Sequence, residues 1–342
     1  MGKTDTHIHT YYSGYNTKVG ALRFPESVID PSVQVDNARR NGVNVLCITD
    51  HNEVEGGFVA ERYAKQFDDI EVVVGDEVMT DQGEVIGLWL TEKPKKFLTP
   101  EETVDIIHEQ GGLAIAPHPF SVHVDGMQEK IFELPIEGFE VINGGHPDPY
   151  SNFFAKRVMD LYPGRWAETS GSDAHSICTT NYNWTEFPGT TAEDLRKAII
   201  NKTTVGKGVP APVMGQFQWS YEVVWGGQKL MYQALRRKLE PVPGNELIAK
   251  CLRNTDMKNI TGIIMGFVYD VPFTGMLATL ISTATLKRRA KKALKQIDER
   301  IAKVQKLIAE IDSKKFLALT GKDVGPLKEA AAEVELPRVI TH

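Results

Sequence analysis

Asp5-Thr6-His7-Ile8-His9, close to the start of the chain, decides the fold. In an extended segment successive side chains point to opposite faces, so His7 and His9 project to one side and Ile8 to the other. Two imidazoles on one face make half of a metal site. The pair carries weight only if the rest of the chain supplies further ligands at matching places.

Moving outward, one pattern repeats: a short apolar run ends in a His or a carboxylate, and an amphipathic segment follows. A loop from Tyr11 to Pro31 and a helix over 33–41 lead to Val43-Asn44-Val45-Leu46-Cys47-Ile48-Thr49, which ends in Asp50-His51. A near-continuous β-branched run of this kind fits a strand buried on both faces. A helix from about Phe58 to Phe67 leads to Ile70–Val74, which ends in Gly75-Asp76-Glu77, and Glu84 to Leu90 is a further strand. Thr99-Pro100-Glu101-Glu102 has the form of a capping box with proline at the first helical position. The next runs are Leu113–Ala116 before Pro117-His118-Pro119, Ile136–Ile142 before Asn143, and Trp166–Ser170 before Gly171-Ser172-Asp173-Ala174-His175. Helices are expected at 152–161 and 192–200.

About seven strand–helix alternations predict parallel strands with helices outside. In such folds chemistry collects at the carboxyl ends of the strands. An open doubly wound sheet would also alternate. The number of units, and a ligand on nearly every strand, favour a closed or nearly closed barrel. The strand-end set is His7, His9, His51, Glu77, His118, Asp173 and His175. Imidazoles and carboxylates gathered in one pocket cost desolvation and repulsion unless divalent cations neutralise them. Mixed nitrogen and oxygen ligation suits zinc, manganese or iron, and a bridging Glu suits two metals about 3.5–4 Å apart.

Asp5-Thr6-His7-Ile8-His9, Thr49-Asp50-His51-Asn52, Glu77, His118-Pro119-Phe120 and Gly171-Ser172-Asp173-Ala174-His175 resemble, in order and spacing, the successive motifs of the PHP (polymerase and histidinol phosphatase) family. Residues 3–210 or so carry the resemblance, and Gly138 to Asn143 with Asn152 resembles the stretch before the last motif in stand-alone members. The resemblance implies a distorted (β/α)7 barrel holding two or three divalent metal ions. It implies a first metal on His7, His9, Glu77 and Asp173, a second sharing Glu77 and held by His118, and a third on His51 and His175. Two departures stand out. Gly14 and Tyr15 occupy places where members often carry an acid or His for the third metal. Ser121-Val122-His123-Val124-Asp125-Gly126 holds no Arg, where many members have one for substrate phosphate.

Several residues carry weaker expectations. Glu84 sits where the family often has a polar residue facing the second metal. Asn143 or His146 completes that metal or touches substrate. Asp50 orients an imidazole rather than binding metal. His108, inside a helix near its C-terminal end, is expected to be a packed or dipole-stabilising imidazole. Cys47 and Cys178 read as buried.

The chain has 342 residues, enough for one large or two smaller domains. The division expected is a catalytic domain over 1–212 and a mostly α-helical extension over 213–342. A net charge of -6 argues against nucleic-acid binding by the whole surface. Three cysteines without pairing-like spacing, and no basic-then-apolar leader before His7, predict a cytoplasmic protein without a signal peptide.

In the extension, Ser220 to Arg237 reads as a helix broken by Pro241-Val242-Pro243-Gly244. Ile260 to Leu286 is the most apolar stretch, with Gly262-x-x-x-Gly266 for close helix packing. Asp270 and Pro272 split it into arms too short to span a bilayer. A buried or subunit-interface hairpin is the favoured reading. Contact with a membrane surface is the lesser one, suggested by Lys287, Arg288, Arg289, Lys291 and Lys292. Ala290, Leu294, Ile297, Ile301, Val304, Ile308 and Ile311 form a seam of alternating fours and threes, which packs on neighbouring helices or forms a homo-oligomer. The tail from Lys322 is weakly patterned.

No Ser, Cys or Asp nucleophile motif is present, so the chemistry expected is attack by metal-activated water, with His51 and His175 as ligands or proton donors. The function expected is a phosphatase or phosphoesterase acting on a small phosphorylated metabolite or a nucleotide. The alternatives are a nuclease trimming RNA or DNA ends, guided by the basic helix, and a non-catalytic scaffold with a degenerate site.

Overall fold

The computed structural model describes residues 1–15, 17–19, 22–124 and 126–320. The expected feature of the tail from Lys322 lies outside them. Seven strands form the barrel wall: β1 (Gly2–Ile8), β4 (Val45–Ile48), β5 (Glu71–Thr80), β6 (Gly83–Leu88), β7 (Leu113–Ala116), β8 (Gly138–Asn143) and β9 (Ala167–Gly171). A small hairpin, β2 (Thr17–Val19) with β3 (Leu22–Phe24), lies in the loop after β1. β10 (Asn183–Phe187) pairs antiparallel with β1, and β11 (Val205–Gly208) pairs antiparallel with β10. The sheet runs β11-β10-β1-β4-β5-β6-β7-β8-β9.

This sheet curls until its last wall strand meets its first. Ile8 bridges Ala174 in parallel. The Asp173 amide donates to the His7 carbonyl at 2.8 Å, and the His9 amide to the Ala174 carbonyl at 3.0 Å. The result is the distorted seven-stranded barrel that the resemblance implies. The wall is not wholly parallel: β6 runs antiparallel between β5 and β7. The reason is local. β5 continues past Val74 through Glu77 to Thr80 and turns back at once through Asp81-Gln82, leaving no room for a crossover helix.

The helices outside the wall are α1 (Pro31–Arg40), α2 (Glu55–Ala64), α3 (Pro100–Glu109), α4 (Ser151–Leu161) and α5 (Ala192–Ile200). Asp30 caps α1 through the Ser32 amide, which starts it two residues before the expected point. The Thr99–Glu102 capping box is present at α3.

Five helices follow: α6 (Val213–Leu235), α7 (Glu246–Arg253), α8 (Asp256–Asp270), α9 (Pro272–Leu294) and α10 (Ile297–Thr320). They wrap the barrel. The α10 seam packs on the barrel flank and not on α6: Ile301, Val304 and Ile308, with Ala290 of α9, share one apolar cluster with Phe120, Phe132 and Phe154. Arg165 holds Asp312 through two bonds of 2.7 and 2.8 Å. Gly262 and Gly266 of α8 face α6, where a β-carbon would meet Met231 and Gln228. The other face of the α8–α9 hairpin is exposed, contrary to a buried reading: Ile264, Phe267, Leu277, Leu280 and Ile281 are each more than half accessible. Among the described residues, no helix is long and apolar enough to cross a membrane.

Candidate metal centre

The carboxyl ends of the wall strands bring all seven strand-end residues into one ring. β1 supplies His7, and His9 follows directly at its end, with Ile8 turned into the core. Glu77 lies within β5 and forms a parallel bridge with His51. His118 follows β7, and Asp173 and His175 follow β9. Both His118 (φ 28°) and Asp173 (φ 49°) hold left-handed backbone, which costs energy for a residue with a β-carbon. Surrounding bonds enforce it: the His118 amide donates to Glu140 Oε2 at 2.8 Å, and the Asp173 amide is tied to His7.

Glu77 is the hub. Its Oε2 lies 3.2 Å from His7 Nε2, 3.3 Å from His9 Nε2 and 3.1 Å from His51 Nδ1. Its Oε1 lies 3.1 Å from His118 Nε2. Asp173 Oδ1 lies 3.5 Å from His7 Nε2, 3.4 Å from His9 Nε2 and 3.7 Å from His175 Nδ1. Glu84, from β6, sits 3.7 Å from His51 and 3.6 Å from His118.

The imidazoles are aimed from behind. His7 Nδ1 lies 3.1 Å from Glu140 Oε1. His9 Nδ1 lies 3.0 Å from Ser13 Oγ, whose hydroxyl donates to Asp50 Oδ1 at 2.6 Å. Asp50 also accepts from the Thr10 amide and hydroxyl, so it orients His9 through Ser13. Gly171 is required at its position, because a β-carbon would strike His7 and Glu140. Asn143 Nδ2 donates to Glu140 and Asp173, which turns its Oδ1 toward His146 Nδ1 at 2.7 Å. That contact puts the His146 proton on Nδ1 and leaves a bare, buried Nε2 beside His118.

Burial lowers the pKa of every imidazole in the ring, and the carboxylates then divide them. The Asp173 and Glu77 carboxylates beside His9 overcome burial and raise it to about 9. The Glu77 bond and charge do the same for His118, also to about 9. At His51 and His175 burial wins, pushing them down to about 4 and about 3, so both stay neutral with a lone pair available. Burial would raise Glu77 and Asp173, but the surrounding imidazoles hold both well below the usual carboxylate range. Burial, with the Glu77 charge, raises Glu84 to about 8.

The donor set fits divalent cations. Glu77 Oε2, His51 Nδ1, His118 Nδ1, His146 Nε2 and His175 Nε2 are buried without a hydrogen-bond partner. His9-His51-His175, His7-His9-Glu77 and His51-Glu77-Glu84 each converge with ligand atoms within 4.8 Å of one another. No arrangement of protons satisfies three imidazole nitrogens about one carboxylate oxygen, whereas a cation does.

Residues that the sequence reading passed over are Glu140, Ser13 and Glu26. Glu26 is buried in the loop after β3, with Oε2 at 3.6 Å from His175 Nε2. α6 pins that loop: the Trp219 indole donates to the Glu26 carbonyl at 2.9 Å and lies edge-on to His175, and Gly226 and Gly227 let α6 approach Val28 and Pro25. Tyr15 packs away from the ring, its hydroxyl 3.4 Å from Cys251 Sγ of α7 and its ring 4.0 Å under Lys250. Outside the ring, His108 pairs with Glu137 at 3.2 Å. Cys47 is buried, and Cys178 is half-buried with its thiol donating to Glu222.

Fold and ring together define a distorted seven-stranded α/β barrel with a buried histidine–carboxylate ring at the carboxyl ends of its strands. The chain belongs to the family of the uncharacterized protein MJ1587 of Methanocaldococcus jannaschii, with 47% identity over 153 residues, 45% of this chain and 88% of that protein. It is also similar to MJ1588 of the same organism, at 30% over 114 residues, covering 33% of this chain and 96% of that one. MJ0417, again of that organism, is 27% identical over 192 residues, 54% of this chain and 70% of its own length. No family model matches. Among solved structures, PsfC from Pseudomonas syringae aligns with a TM-score of 0.47 at 17% identity, over 64% of this chain and 99% of that one. A Bifidobacterium adolescentis protein assigned as a metal-dependent phosphoesterase aligns with 0.40 at 14%, over 57% and 94%. An amidohydrolase from Chromobacterium violaceum aligns with 0.40 at 15%, over 62% and 95%.

Proposed function

We propose that this protein is a metal-dependent phosphoesterase that hydrolyses a phosphoric monoester of a small metabolite or a nucleotide. One observation carries the reading: a single buried carboxylate oxygen of Glu77 faces three imidazole nitrogens within 3.3 Å, under an open cavity. His7, His9, Glu77 and Asp173 would hold a first divalent ion. Glu77, His118 and His146 would hold a second, and His51, His175 and Glu26 a third. Zinc, manganese and iron all suit this donor set. When bound, such ions supply Lewis acidity that acidifies a water and polarises phosphoryl oxygens.

The chain's own residues do the rest. Glu140 and the Ser13–Asp50 pair fix the faces of His7 and His9. Asn143 keeps the proton of His146 on Nδ1, so that Nε2 stays bare. Three free cysteines fit a reducing, cytoplasmic setting.

Metal analysis of the purified protein, coupled to a phosphate-release screen over nucleotides, sugar phosphates and oligonucleotides, tests the reading. His9→Ala and Asp173→Ala should each lose bound metal and at least about 10²-fold in kcat. Full metal content and full activity in both variants would sink the assignment. Cleavage confined to oligonucleotides would replace it with a nuclease.

A further inference from the structure

A cavity of about 1000 Å³ opens over the ring. Its charged lining is acidic almost throughout, with Glu26, Glu77, Asp81, Glu84 and Asp173 beside the histidines. Among the described lining residues a single permanent cation is present, Arg289, and it comes from α9 rather than from the barrel.

Arg289 is held at the wall by its neighbours. Ala290 is fully buried in the apolar cluster around Phe120, and Leu286, one turn earlier, is buried too. One Nη donates to the Val122 carbonyl at 3.4 Å. Among the described residues no carboxylate pairs with the guanidinium. A guanidinium carries five N–H donors in a rigid fork, and with one bond of its own to the protein Arg289 keeps most of them free for an anion at the cavity wall. The neighbouring His123 lies edge-on to His146, whose bare Nε2 belongs to the ring. Burial lowers the pKa of His123, which leaves its imidazole neutral.

A phosphate bound between cations and such a fork would have its charge met from both sides, and Arg matches phosphate geometry through two parallel bonds. We infer that Arg289, delivered by the C-terminal extension, is the anion clamp of this cavity and grips the phosphate oxygens of the substrate. The inference rests on the phosphoesterase reading for the identity of the anion. It extends that reading by making α9 part of the substrate site.

The test uses the full-length, metal-loaded protein with inorganic phosphate as probe, by titration calorimetry, beside steady-state kinetics on the best monoester of the screen. Arg289→Ala should keep its metal content and kcat within about twofold. Its phosphate Kd and its KM should each rise about tenfold or more. Arg289→Lys should recover part of the loss, and the salt dependence of phosphate binding should flatten in Arg289→Ala. If the wild type binds phosphate and hydrolyses esters while Arg289→Ala matches it in Kd and KM, the clamp is overturned and the phosphoesterase reading stands. If the wild type binds phosphate through Arg289 but releases none from any ester, the clamp stands and the reading fails. A wild type that neither binds nor releases phosphate overturns both.

Discussion

Glu77 shows how one side chain can set the protonation of a whole site. Its charge and that of Asp173 hold protons on His9 and His118, while His51 and His175 stay neutral. A raised folded-state pKa contributes stability at pH values below the unfolded value, and that contribution is lost as pH rises through the folded one. For His9 and His118 the window runs from about 6.5 to about 9. Glu84, raised to about 8, adds a loss in the same direction starting from lower pH. The metal-free protein should therefore lose stability as pH rises from 6.5 to 9, and the metal-loaded protein should not. Thermal melts of both forms across that range check this, and parallel curves would contradict it. The seven ring residues were legible in the sequence because each punctuates an apolar run. Glu140 and Glu26 were not, because their contacts cross 133 and 149 positions (175 − 26 for the last), and Ser13 was not, because its hydroxyl is set by Asp50, 37 positions on. Cys178, expected to be buried, is half-buried in a turn where its thiol donates to Glu222 of α6.

At the scale of elements, the long apolar strands and the capped helices were readable from their own residues. β10 and β11 were missed: Asn183–Phe187 interleaves polar Asn183, Thr185 and Glu186 with Trp184 and Phe187, and Val205–Gly208 is mostly exposed, so neither makes an apolar run. The heptad seam of α10 was readable, but its partner was not, since a seam states that something must be covered and not by what. The most consequential element is α6, whose Trp219 and paired glycines press the Glu26 loop against the ring. Glu26→Gln should bind one equivalent less metal than the wild type while keeping His7-His9 site occupancy, read by elemental analysis. Trp219→Phe, which removes the indole donor, should weaken the affinity for that last equivalent. Unchanged stoichiometry in Glu26→Gln would remove Glu26 from the ligand set.

At the scale of the molecule, we propose that residues 1–212 and 213–342 are two units of sequence sharing one folded body. Ala290, Ile301, Val304 and Ile308 lie in the same apolar cluster as barrel residues, and Tyr15, Glu26 and Phe120 each lean on a helix of the extension. What the extension leaves uncovered is the outer face of α8–α9. Contiguous exposed apolar surface rimmed by polar residues is the form an interaction surface takes. Two such hairpins related by a two-fold axis would cover each other as a four-helix arrangement. We propose a homodimer through this face. Light scattering on the full chain should give twice the chain mass, and Leu277→Ser with Leu280→Ser should give a monomer. A monomeric wild type at tens of micromolar would remove the dimer.

The two walls of the cavity also differ in when they come into existence. A ribosome releases the chain from its first residue onward, so every ring residue, Glu26 included, has emerged before α6 and α9. A nascent chain up to about residue 210 already carries every imidazole and carboxylate of the ring, with neither Trp219 nor Arg289 yet made. On the proposed reading, the residues that hold ions are made before the residues that make the site selective.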